Sequence, residues 1–154
     1  MPFLTNYGQQ VCLYDDNRTF LAGPLTVGTP ATHGGIAQIA DTLALYSGAL
    51  SSGTASKDAS VLTLVDPAGG GYAGDITITK SVTHWVDPSA SSGDTQIVLQ
   101  NKVFTATGSP MNDVGGAYIQ DEESNVLALW ERSSDITLAT NDTITADALT
   151  IRII

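Results

Sequence analysis

An all-β domain, built as a jelly-roll-like antiparallel β-sandwich with a short N-terminal helix or extended arm, follows from three features of this chain. Apolar residues alternate with period two through most of its C-terminal half. Short β-rich runs recur roughly every ten residues, and turn residues separate them. The long amphipathic helices that would carry parallel crossovers are missing from the pattern. At 154 residues the chain suits one domain and can bury a core without covalent staples.

Residues 1–35 read as an arm that packs on the domain or on a neighbour, and residues 36–154 as the sandwich. Thr5 is a possible cap for a helix over 5–14, where Leu4, Tyr7, Val11 and Tyr14 fall at helical spacing. Leu25 to Thr32 is dotted with Gly and Pro and reads as extended. A second helical pattern covers 35–44. Strands are expected at 43–46, 61–65, 75–80, 95–99, 102–105, 116–120, 126–131, 135–138, 143–145 and 148–154, from alternation or from β-branched content. Asp66-Pro67-Ala68-Gly69-Gly70, Asp87-Pro88, Ser91-Ser92-Gly93-Asp94 and Gly108-Ser109-Pro110 are expected loops. Pro pre-sets φ, Gly supplies positive φ, and Asp or Ser bonds its own backbone.

Sixteen acidic residues face six basic ones, a net charge of −10, and no basic cluster offsets it locally. Nucleic acid is excluded as a partner, since phosphate binding needs Lys and Arg. Anionic membrane surfaces are disfavoured for the same reason. Charged residues make up only 14% of the chain, which suits a surface partly covered by other proteins. Cys12 is the single cysteine and sits in the apolar run Val11-Cys12-Leu13, so a buried thiol is expected and no intramolecular disulfide. The opening Met1 to Tyr7 lacks the basic and apolar regions of a signal peptide, and no later stretch reaches transmembrane length. Assembly in a cytoplasm is the expectation.

Motifs for chemistry are weak. Gly69, Gly71 and Gly74 match G-x-G-x-x-G, but a strand pattern follows where a dinucleotide site needs a helix N-terminus. His33 and His84 lie apart, with no metal-ligand spacing. No G-x-S-x-G elbow is present. Asp15-Asp16 and Asp121-Glu122-Glu123 read as solvated turns rather than as a glycosidase pair or a calcium loop. No catalytic residue, cofactor or metal is expected, and the chain is read as a non-enzyme.

Several landmarks then fall in a recognisable order. The chain opens on Phe3-Leu4-Thr5-Asn6-Tyr7 and continues to Leu13-Tyr14-Asp15. Gly69-Gly70-Gly71-Tyr72-Ala73-Gly74 forms the central turn, and Trp85, Asn101 and Phe104 follow. Val114-Gly115-Gly116-Ala117-Tyr118-Ile119-Gln120-Asp121 comes next, then Asn141-Asp142-Thr143 and Ala148-Leu149-Thr150-Ile151. In this order the chain resembles a family of small tailed-phage and prophage virion proteins, often labelled tail fibre or virion structural proteins. The likeness covers most of 1–14 and 69–154, while 20–65 match poorly. Gly74 stands where that family usually has a basic residue.

The resemblance implies a structural role in a virion, without catalysis. One expectation is a capsid decoration, or cement, protein: a homotrimer that clamps neighbouring major capsid protein subunits, its arm adding a strand to a neighbour's sheet. The other is a small tail fibre, baseplate or glycan-binding receptor component. Phe3, Leu4, Tyr7, Tyr72, Trp85 and Trp130 are the candidate interface anchors. For the aromatics in or beside strands a core role is the default.

Overall fold

Runs of β-branched and apolar residues, bounded by Gly, Pro, Asn and Asp, build ten strands in the computed structural model, which describes residues 3–4, 40–48, 64–79, 81, 83–91 and 94–153. They are β1 (Phe3–Leu4), β2 (Thr42–Ser47), β3 (Ile76–Thr77), β4 (Trp85–Ser91), β5 (Asp94–Leu99), β6 (Lys102–Thr105), β7 (Met111–Gln120), β8 (Val126–Leu138), β9 (Thr143–Ala146) and β10 (Leu149–Ile153). Every pairing between them is antiparallel, and no helix occurs among the described residues. The described part of the chain is all-β and sandwich-like.

One sheet has five strands in the order β1-β8-β7-β2-β3. Its register aligns Leu43, Ile119 and Ala128 in one row and Leu45, Ala117 and Trp130 in the next. These rows face the main core, together with Trp85, Leu99, Phe104 and Ile151 from the other strands. Ala44, Tyr118 and Leu129 occupy the intervening row and join Tyr46 and Val126 in a second buried cluster on the opposite face. A strand buried on both faces loses the alternation of a half-exposed one. That is why Leu43 to Tyr46 and Val126 to Trp130 are continuous buried runs.

The remaining strands form a ribbon that closes the core. β5 pairs with β10 and β6 with β9, and one register runs from Thr95↔Ile153 to Thr105↔Thr143. Leu99 and Phe104 both point inward although five positions separate them. The alternation must therefore reset between them, at Gln100-Asn101 opposite Asp147-Ala148. Ala148 takes φ 45° there, and its amide donates to Asn101 Oδ1 at 2.8 Å. These pairings nest around the β7–β8 hairpin, as a jelly roll's do, but two four-stranded sheets are not completed among the described residues.

Several sequence expectations change. The helix expected over 5–14 lies outside the described residues. The one over 35–44 does not continue through its described part, because Thr42, Leu43 and Ala44 already pair with Gln120, Ile119 and Tyr118. Leu64 and Val65 are not in a strand; instead the Val65 carbonyl accepts the Ser47 amide at 2.6 Å. Of the strand expected over 75–80, the described residues 75–79 keep only Ile76–Thr77. Asp87-Pro88, an expected loop, lies inside β4, where the register shifts between Val86 and Ser89. A bulge tolerates a proline, which has no amide for the ladder. The strands expected at 126–131 and 135–138 are one, β8, whose exposed residues 132–135 bulge away from β7 between the Glu131 and Ile136 pairings.

Candidate interaction surface

The glycine turn is tied to the body of the fold. Gly71 donates its amide to the Pro110 carbonyl at 2.9 Å and accepts the Thr107 amide at 2.9 Å. A Cβ at Gly71 would strike the Ser109 and Pro110 carbonyls, so the backbones approach too closely for a side chain. The chain then runs into β3, so a strand and not a helix N-terminus follows the glycines.

This turn delivers Tyr72 to the edge of β2. β3 covers β2 only at Thr42 and Leu43. Beyond it, the Leu45 amide donates to Tyr72 Oη at 3.0 Å, and the phenol donates to Asp75 Oδ1 at 2.8 Å. The ring packs near Phe104, with centroids 6.1 Å apart. Burial drives the Tyr72 phenol far above its ordinary pKa, and the neighbouring Asp75 adds to the shift. Its hydroxyl is thus committed to a structural bond.

The other anchor candidates separate. Trp85 is 1% exposed and Trp130 9%, so both fill the core, and the default reading of these aromatics is the one the fold adopts. Trp130 Nε1 donates to the Thr150 carbonyl at 3.2 Å, pinning β8 to β10. Trp85 is therefore inside the protein and offers no surface to a partner. Phe3 and Leu4 pair with Leu129 and Ala128, adding β1 to the edge of the five-stranded sheet. Tyr7, His33 and Cys12 lie outside the described residues. Val86 and Val103 are the apolar side chains that the outer face of the ribbon exposes.

The acidic turn is not wholly solvated. Glu122 and Glu123 are exposed, but Asp121 is only 7% exposed. Its Oδ1 accepts the amides of Glu123 and Asn125 at 3.0 and 2.9 Å, and Asn125 Nδ2 reaches both carboxylate oxygens. Asp121 thereby closes the β7–β8 turn, where Ser124 takes φ 67°. Asp121→Ala is expected to lower stability by about 1–3 kcal/mol in urea unfolding, with Asp121→Asn costing less because it keeps an acceptor. Equal stability of all three proteins would contradict this role.

His84 closes another turn. The Thr79 amide donates to His84 Nδ1 at 2.7 Å, which requires that nitrogen to be unprotonated. Burial lowers the imidazole below its ordinary 6.5, and the Lys102 ammonium pushes it the same way. The native state therefore binds fewer protons than the unfolded chain just below pH 6.5. The stabilisation from neutral His84 is complete above that value and is lost as pH falls from it toward the folded-state pKa. Denaturation midpoints should drop between about pH 7.5 and 5.5, and by less in His84→Asn. An identical pH profile in the variant would show that His84 is not responsible.

No group of three or more His, Cys, Asp or Glu side chains able to hold a metal occurs among the described residues. No helix among them is long and apolar enough to cross a membrane. Comparison with known proteins returns no matching family model, no matching curated protein and no matching solved structure.

Proposed function

We propose that this chain is a non-enzymatic structural protein of a tailed-phage particle, and within it a decoration protein that clamps neighbouring major capsid protein subunits. The observation that carries the reading is the ordered set of landmarks from Phe3-Leu4 to Ala148-Leu149-Thr150-Ile151. Its support is that each landmark for which the fold provides surroundings has a packing or turn role. Gly71 permits a close backbone approach, Trp85 and Phe104 fill the core, and Asp121 closes a turn. Asn141 takes φ 72°, which asparagine tolerates, while Asp142 Oδ2 accepts the Ala139 amide. None of these duties is chemical.

The low charge density and the exposed valines on the ribbon suit a protein that covers surface on a larger assembly. In this reading a jelly-roll-like trimer supplies several weak contacts at once, and closed symmetry makes them cooperative. The test is rebinding. Purified protein added to expanded heads that lack it should occupy them at saturable stoichiometry and raise their melting temperature in calorimetry. Heads that neither bind the protein nor gain stability would overturn the proposal, as would tight binding to tail structures or to glycans instead.

A further inference from the structure

The two layers of the sandwich part beside β9. A crevice of about 200 Å³ opens there, floored by Val114, Trp130, Ile144 and Leu149 and rimmed by Glu131 and Asp147. Its volume is comparable to an apolar cavity that accepts a benzene-sized group. β9 pairs with β6 on one side, and no described strand pairs with its other edge. A strand edge that no described strand pairs, next to an apolar slot, is the arrangement by which proteins take up an extended segment. Main-chain bonds supply affinity, and alternate side chains supply specificity.

We infer that the β9 edge and this crevice bind an extended segment of a partner protein that carries one aromatic or leucine-sized side chain flanked by basic residues. The apolar side chain enters the crevice. The residues two positions away on either side lie on the same face of the added strand and reach the rim. Glu131 and Asp147 outweigh Arg132 there, and Arg132 Nε is turned back to the Ser134 carbonyl at 3.3 Å. A second copy of this chain fits poorly as the occupant, because each copy carries a net charge of −10. The inference goes beyond the decoration reading: it concerns one edge and can fail while rebinding to heads succeeds.

The test uses the whole protein and a short capped peptide with a central phenylalanine, lysines two positions to either side and threonines elsewhere, followed by amide chemical shifts. Binding should perturb 143–149 and 130–132. Replacing the phenylalanine with alanine should weaken it about tenfold or more. Asp147→Lys, at an exposed position, should weaken binding of the basic peptide about fivefold and favour a glutamate version of it. Absence of binding, perturbations confined to other strands, or full affinity in Asp147→Lys would overturn the inference. So would concentration-dependent dimerisation through this edge.

Discussion

Replacing Trp85 with alanine is expected to remove about 3–5 kcal/mol of stability, the range for deleting a large buried aromatic. Trp85 opens β4 opposite Leu99, and both belong to the main core. Its indole Nε1 is buried with no hydrogen-bond partner among the described residues. A buried unpaired N–H costs about 1–3 kcal/mol. Trp85→Phe removes that N–H while keeping most of the apolar volume, so it should cost far less than alanine. Urea unfolding of the three proteins checks the order. If Trp85→Ala unfolded within about 1 kcal/mol of the parent, the side chain would be a surface group and would return to the interface candidates.

Gly116→Val is expected to be comparably damaging. Gly116 lies in β7 between Tyr46 of β2 and Glu131 of β8. A Cβ there would meet the Trp130 carbonyl, and Tyr46 Cε1 and Oη would each lie 2.6 Å away. The tyrosine ring fills the space that a side chain would occupy, and the carbonyl belongs to the paired strand and cannot yield. Overpacking typically costs about 1–3 kcal/mol, and a backbone clash places this site at or above the upper end. Gly108→Ala provides the contrast. Gly108 has φ 71° but nothing within 4 Å of its would-be Cβ, so only backbone strain opposes the change, about 1 kcal/mol. Similar losses at both positions would mean that the Tyr46–Gly116 packing is not as described.

Strands with one clear pattern are legible in the amino-acid sequence. Lys102–Thr105 has the bounds expected of it, Thr143–Ala146 ends one residue later than expected, and Leu149–Ile153 begins one residue later. β4 is illegible because Asp87-Pro88 is strong punctuation, and only pairing with β5 can hold it extended around a bulge. Leu64-Val65 has the composition of a strand but lacks a ladder; propensity alone does not supply a partner. Asp121 reads as one acid of a solvated cluster. Its distinguishing signal is the asparagine four residues on, whose amide and side chain it binds. The crevice beside β9 joins residues from 45 to 149, so no local pattern announces it.

The proposed function rests more on landmark order than on any one group. Tyr118 illustrates the point: burial pushes its phenol up to about 12, with Asp75 and Asp66 adding to the rise. It thus stays neutral in the second buried cluster and packs there with Leu129. Tyr46 is likewise held neutral by burial, then by Glu131 and Asp135. The raised phenols of Tyr46 and Tyr118 mark packing inside a sheet buried on both faces.

Cryo-electron microscopy of tailed-phage particles purified from the source that encodes this protein tests the decoration reading head-on. The expected result is the sandwich in many symmetry-related copies on the outside of the head, each touching more than one major capsid protein subunit. Purified particles with no density for the chain, or an activity traced to it as an enzyme, would contradict it.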